Sequence, residues 1–279
     1  MTTAVPAAEQ AAQAREGAAL VLDRIAKTYR GAGGGVAALG PVDLEVWRGE
    51  FVSIVGPSGC GKSTLFSIVG GLAEEYDGRV LIDGRAVRGP QREIGMVFQE
   101  ESTFPWLSAL ENVAFPLRVA GVARAERETR ARRMLRLVGL EGFEGARPAK
   151  LSGGMRQRTA LARTLIAQPR ILLMDEPFAA LDEQTRLLLG DRLLDVWREL
   201  EQTTLLITHS IAEAVQLSDR VVVMTFRPGR VKRIVKIDLP RPRTSAILGS
   251  ERFGHFVSLI WSELRDEALR GLDAREERC

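Results

Sequence analysis

Apolar and polar positions along this chain follow two rhythms. Short, nearly continuous apolar runs read as strands buried on both faces: FVSIVG at 51–56, ILLMDE at 171–176, TLLITH at 204–209 and RVVVM at 220–224. VLIDG and IGMVF, within 79–98, are shorter pieces of the same kind. Upstream, LVLDRIAKTY (20–29) reads as a strand, and PVDLEVWRGE (41–50) alternates as a half-buried strand ending in a turn at Arg48–Glu50. GAGGGVA at 31–37 reads as a flexible turn between them. The second rhythm is helical. A helix is expected from about Lys62 to Gly70, the pattern turns helical again from about 108 to 140, and 183–201 sets Leu189, Leu193, Val196, Trp197 and Leu200 at helical spacing. In 251–269, Phe253, Phe256, Val257, Ile260, Trp261, Leu264 and Ala268 fall on one stripe, which is expected to pack on the protein's own body. Buried strands alternating with helices predict an α/β fold around a parallel sheet. Residues 1–17 carry little pattern and are expected to be disordered.

Composition narrows the classes. The 279 residues are 45% hydrophobic and 27% charged, which suits a globular chain with a sizeable core and excludes a disordered one. Two cysteines, Cys60 and Cys279, cannot staple a fold of this size and fit a reducing compartment. No apolar run approaches the ~20 residues of a membrane-spanning helix, and the N-terminus lacks the pattern of a signal peptide. A cytoplasmic chain is expected, unless something else holds it at a membrane. Thirty-nine basic residues against 36 acidic give a net charge of +3, too little to argue for nucleic acid. Of two basic stretches, Arg124–Arg136 interleaves Glu126 and Glu128 and reads as a solvated helix face. Arg227–Arg243 reads as a surface ribbon or as a partner contact.

The sharpest chemical signal is GPSGCGKST at 56–64, which fits the phosphate-loop spacing between a buried strand and a helix. Glycines let backbone amides approach phosphate oxygens, and the helix after Gly61 adds its positive N-terminus. The expected cradle is Gly56, Pro57, Ser58, Gly59, Cys60, Gly61, Lys62, Ser63 and Thr64. Lys62 supplies a point charge to the β- and γ-phosphates, and the Ser63 hydroxyl can ligate Mg²⁺. Cys60 reads as a tolerated small residue rather than a redox switch. ILLMDE ends a strand on Asp175, where a carboxylate can hold Mg²⁺ through water, and the adjacent Glu176 can polarise an attacking water. LSGGM at 151–155 opens another helix, so Ser152, Gly153 and Gly154 offer a second anion site. A second phosphate cradle makes sense if two copies of the chain each cap the nucleotide held by the other.

With these motifs in order, the sequence resembles an ATP-binding cassette, the nucleotide-binding subunit of ABC transporters. LSGGM is similar to the family's signature, with Met155 where Gln is usual. The resemblance implies a P-loop ATPase with a RecA-like core, an antiparallel β subdomain and a helical signature subdomain at about 100–165, all within a cassette at 18–240. Residues 241–279 would be a C-terminal helical extension. It further implies that Gln99, in MVFQE, senses Mg²⁺ and the attacking water, and that Asp182, in AALD, belongs to the D-loop. His209 would be the switch histidine on the γ-phosphate, followed by Ser210 where the family usually has Asp. Tyr29 would stack on adenine. His255 is expected to be structural, leaving Mg²⁺ with ATP as the one implied metal.

VFQEESTFPWLSALENVAFPL, MDEPFAALDEQTR, THSIAEAVQLSDRVVVM and FRPGRVKRIVKIDLPRPR resemble ATPase subunits of nitrate/sulfonate/taurine-type importers. Such a subunit pairs with a second cassette, here expected as a homodimer. It docks on an integral membrane permease at the cytoplasmic face of the inner membrane, and the permease takes cargo from an extracytoplasmic solute-binding protein. Phe104 and Trp106, beside Pro105, would suit the groove that receives the permease. The competing expectation is a soluble ABC ATPase switch that drives a non-transport assembly. The cassette does not touch the cargo, so the resemblance implies a class of importer and no one solute.

Overall fold

The computed structural model describes residues 17–31, 34–100 and 102–276. The tail expected at 1–17 lies outside them except for Gly17, as does Cys279. Strands β1 (Ala18–Gly31) and β2 (Gly34–Trp47) form a long antiparallel hairpin. The glycine-rich stretch is therefore not a free turn. Pairing continues through Thr28↔Ala37, Tyr29↔Val36 and Gly31↔Gly34, because the ladder needs backbone groups and no particular side chain. β4 (Asp77–Ile82) pairs with β1, and β5 (Arg85–Ala86) closes this four-stranded sheet in the order β2-β1-β4-β5.

The second sheet holds the apolar runs: β3 (Phe51–Val55), β6 (Ile94–Val97), β7 (Ile171–Asp175), β8 (Thr203–Ile207), β9 (Arg220–Met224) and β10 (Val231–Lys236). Their order is β10-β9-β3-β8-β7-β6, parallel except for the antiparallel edge strand β10. Alternate residues bury on opposite faces, which is why these strands read as continuous apolar runs. Leu205 and Ile207 of β8, with Val222 and Met224 of β9, join β1, β2 and helix α1 (Lys62–Val69) in one core. Leu206 faces the other way, toward α2 (Ala109–Val119), α3 (Arg124–Leu137), α4 (Gly153–Leu165) and α5 (Glu183–Leu200). Each fully buried Leu, Ile or Val of this kind contributes roughly 1.5–3 kcal/mol.

A third cluster packs α6 (Ile211–Leu217) and α7 (Glu251–Glu276) on β9 and β10 through Val215, Val221, Val235, Phe253, Ile260 and Leu264. The predicted stripe of α7 is only partly used. Trp261 is 53% exposed and His255 is also exposed, so neither belongs to the core. The basic stretch 227–243 also turns inward. Arg241 lies 4.2 Å over the Trp197 ring, and Arg243, 3% exposed, donates to the carbonyls of Val215, Ser218, Ile237 and Leu239. Burial pushes the Arg243 guanidinium down to about 10. Among the described residues no helix is long and apolar enough to cross a membrane.

Candidate functional site

Four chemically suggestive segments follow the C-terminal ends of parallel strands, the edge where open α/β sheets bind ligands. β3 runs into the phosphate loop, β6 into Gln99, β7 into Asp175 and Glu176, and β8 into His209. Sequence neighbours far apart thus meet at one rim.

The phosphate loop ends at Gly61, whose φ of 96° is open to glycine. A Cβ there would also lie 2.7 Å from the Ala38 carbonyl of β2. Helix α1 then starts at Lys62 with no side-chain cap, leaving its first amides available for an anion. Lys62 is 8% exposed, and its Nζ donates to the carbonyls of Gly56 at 2.8 Å and Pro57 at 3.0 Å. Cys60 is buried, and burial pushes its thiol up, so it stays a thiol and packs as a small side chain.

A cavity of about 380 Å³ opens over this loop. Its walls are the loop itself, Tyr29, Val36 and Ala38 from the hairpin, then Gln99, Glu176 and Arg227. The Tyr29 ring is 49% exposed at the rim, with its hydroxyl 3.3 Å from Thr64 Oγ1. Glu176 collects two partners on one oxygen: Gln99 Nε2 donates to Oε2 at 3.4 Å, and His209 Nδ1 lies 3.2 Å away. The Glu176 backbone is held at φ 47°, a left-handed conformation that a non-glycine residue adopts only when its surroundings impose it. The Asp175 pKa is raised by burial first and by the neighbouring Glu176 charge as well, with the Ser63 hydroxyl and the Lys62 charge acting against the rise. A hydroxyl, a carboxylate and the Gln99 amide are hard oxygen donors of the kind Mg²⁺ takes. Among the described residues no group of three or more His, Cys, Asp or Glu is arranged to hold a metal ion by itself.

The sequence profile described as "ABC transporter" matches residues 39–179. Over 253 residues the chain is 49% identical to the uncharacterized ABC transporter ATP-binding protein MJ0412 of Methanocaldococcus jannaschii, spanning 91% of this chain and 94% of that protein. This chain belongs to the ABC transporter ATPase family. It is 44% identical over 240 residues to the aliphatic sulfonates import ATP-binding protein SsuB of Bacillus licheniformis, with 86% and 89% of the two chains covered. It is also 44% identical over 254 residues to the nitrate import ATP-binding protein NrtD of Synechocystis, covering 89% and 96%. A solved dimeric structure of the ATP-binding cassette MJ0796 in a post-hydrolysis state, bound to ADP and Pi, matches with a TM-score of 0.73 and 36% identity. That match covers 79% of this chain and 100% of the other.

The ABC ATPase does not bring all its motifs to the cavity. Ser152, Gly153 and Gly154 lie outside it, as does Asp182, and His209 reaches it only through Glu176. Ser152 caps α4 by accepting from Met155 N at 3.3 Å, which leaves its hydroxyl proton free to donate. Asp182 caps α5 through Thr185 N at 2.8 Å, and that bond holds its carboxyl below the usual range. The two turns touch each other: a Cβ on Gly154 would lie 2.6 Å from a terminal methyl of Leu181, which would have to shift to admit it.

Two features had no sequence signal. One is Arg227, whose place in a basic stretch did not distinguish it from its neighbours. The other is Glu213 of α6, half-buried behind the His209 segment. Thr208 Oγ1 donates to Glu213 Oε2 at 2.6 Å, and Ser210 caps α6 by accepting from Glu213 N at 3.3 Å. Serine thus does the capping work available to Asp at this position. Glu213 Oε1 and Arg186 Nε are buried without hydrogen-bond partners. Burial pushes Glu213 from 4.5 up to about 7, against the Thr208 bond and the Arg186 charge, with Glu176 adding to the rise. Between those two values the folded state holds the extra proton, so stability falls as pH rises from 4.5 to about 7 and is level above. Glu213→Gln is expected to remove that slope, which is worth about 3 kcal/mol. Urea unfolding at pH 5 and pH 8 measures it; an unchanged slope in the variant would assign the titration elsewhere.

Proposed function

We propose that this ABC ATPase powers import of a small anion or organic solute of the nitrate, sulfonate or taurine type through a separate membrane permease. Two chains close around two Mg·ATP at the cytoplasmic face of the membrane, and the solute-binding protein acts through the permease. The observation that carries the reading is that Gln99 and Glu176 line the phosphate-loop cavity, with His209 held on Glu176, while Ser152–Gly154 stand outside it. A cavity so built is completed when a second cassette brings its Ser152 and helix α4 N-terminus to the nucleotide. The importer class is supported by the sulfonate and nitrate import relatives.

In the mechanism, the uncapped amides of α1 and Lys62 hold the phosphates, and Tyr29 stacks on the base. Ser63, Asp175 and Gln99 would hold Mg²⁺, which neutralises charge on the β- and γ-phosphates. Glu176 accepts a proton from, or orients, the attacking water, and His209 and Gln99 keep its carboxylate in place. His209 also reaches the γ-phosphate once the chains close. Hydrolysis removes the contact that holds the two chains together.

The docking edge is aromatic. Trp106 is 67% exposed and stacks on Phe104 at 5.6 Å, and Phe104 lies 4.7 Å from Phe115. Buried Asn112 fixes this segment by accepting from Phe104 N at 2.8 Å and donating to the carbonyls of Phe104, Leu107 and Ser108. Closure at Gln99 is thereby passed to a rigid apolar edge that a permease helix can fill.

The test is a mild-detergent pull-down of the tagged chain from native membranes, with partners identified by mass. Recovery of a polytopic permease is expected. Recovery of soluble partners alone, with the chain absent from the membrane fraction, would replace the importer with a soluble ATP-driven switch.

A further inference from the structure

We propose that Arg227 is a second cation of the nucleotide site, contacting the phosphate chain, and that α7 holds it in place through Glu267. This rests on reading the cavity as the nucleotide site. Arg227 sits in the turn from β9 to β10, at the same sheet edge as the other site loops. Its Nε and one terminal nitrogen donate to the Gly59 carbonyl at 3.3 and 3.2 Å, and its side chain lines the cavity that Lys62 also lines. Among the described residues no carboxylate pairs with it, and its remaining guanidinium donors make no hydrogen bond. Buried Lys62 and half-buried Arg227 are two cations on one cavity that repel each other, and a polyanion between them turns that cost into attraction. The planar guanidinium also suits phosphate oxygens in a way a bare point charge does not.

The turn that carries Arg227 is fastened on two sides. Toward the hairpin, Gly229 N donates to the Ala38 carbonyl at 3.0 Å and Gly40 N to the Gly229 carbonyl at 3.0 Å. Toward α7, Phe226 N donates to Glu267 Oε2 at 2.9 Å. Glu267 is 3% exposed, and its Oε1 lies 3.2 Å from Lys232 Nζ and 3.3 Å from an Arg270 nitrogen. Burial alone would raise its pKa, yet the bonds from Phe226 N and Lys232 outweigh that and hold the carboxyl below the usual range. One turn further along, Gly271 brings the α7 backbone against the Phe226 ring and Pro57 of the phosphate loop, at 3.3 and 3.7 Å from an added Cβ. The C-terminal helix therefore touches both the turn bearing Arg227 and the loop under the phosphates. Through Glu267, a positioning residue, it sets where the second cation stands.

The experiment is displacement of a fluorescent ATP analogue from the full chain by ATP and by adenosine. Arg227→Ala is expected to weaken ATP about tenfold and leave adenosine unchanged, with Arg227→Lys in between. Glu267→Gln is expected to weaken ATP in the same direction, and the double variant to be no weaker than Arg227→Ala alone. Wild-type ATP affinity in Arg227→Ala, or equal loss of ATP and adenosine, would overturn the contact. Fully additive losses in the double variant would overturn the role of Glu267. Lys62→Ala in the same assay separates the two readings. If it loses ATP while Arg227→Ala does not, the nucleotide site stands and Arg227 is no part of it; if Lys62→Ala also binds normally, both fall.

Discussion

Glu176→Gln binds ATP as the unaltered chain does and hydrolyses it about 10²–10³-fold more slowly. The carboxamide keeps the shape of the side chain beside Gln99 and His209, which now contact one oxygen at 3.4 and 3.2 Å. It loses the negative charge and the basicity that the proposed role in orienting and deprotonating water requires. The phosphate loop and Lys62 are untouched, so ground-state binding is preserved and the loss falls on kcat. Repulsion on Asp175, where Glu176 adds to the effect of burial, is also relieved, which favours an ionised Asp175. A variant that binds without turning over accumulates the closed form. An ATP-dependent shift from monomer to dimer in size-exclusion chromatography with light scattering is therefore the companion result. Turnover near the unaltered rate would remove Glu176 from catalysis.

Lys62→Ala fails earlier, at binding. The ammonium is buried in the loop and donates to the Gly56 and Pro57 carbonyls. Its removal takes away a charge-assisted bond to phosphate and leaves two loop carbonyls without that donor. ATP affinity is expected to fall about a hundredfold, measured by titration calorimetry. Thermal unfolding shifts only modestly, because the loop glycines and α1 packing through Leu65, Phe66, Ile68 and Val69 remain. Equal affinity in the two proteins would overturn the reading of this loop as the nucleotide site. The pair of variants separates two stages, Lys62 acting before closure and Glu176 after it.

Much of this was written in local sequence. β3, β7, β8 and β9 are legible because each is an apolar run buried on both faces. The helix at 62–70 is legible because the phosphate-loop spacing demands it, and 183–201 because its apolar residues repeat at helical period. The GAGGGVA stretch misleads, since glycine composition signals a turn while the backbone ladder of β1 and β2 runs to its tip. Trp261 misleads in the opposite sense: its spacing fits the buried stripe of α7, yet the helix turns that residue to solvent.

The site divides in the same way. The sequence by itself determined the phosphate loop, the acidic strand end and the Ser-Gly-Gly helix start, because each is a short run whose chemistry depends on neighbours a few residues away. Only the tertiary structure decided which of them share a cavity. Parallel strands β3, β6, β7 and β8 deliver Lys62, Gln99, Glu176 and His209 to one rim from positions far apart in the chain, whereas Ser152 and Asp182 are carried elsewhere. Arg227 and Glu213 gain their surroundings from contacts across the sheet edge and behind it. No local pattern encodes a distance between segments separated by scores of residues; sheet order sets that distance.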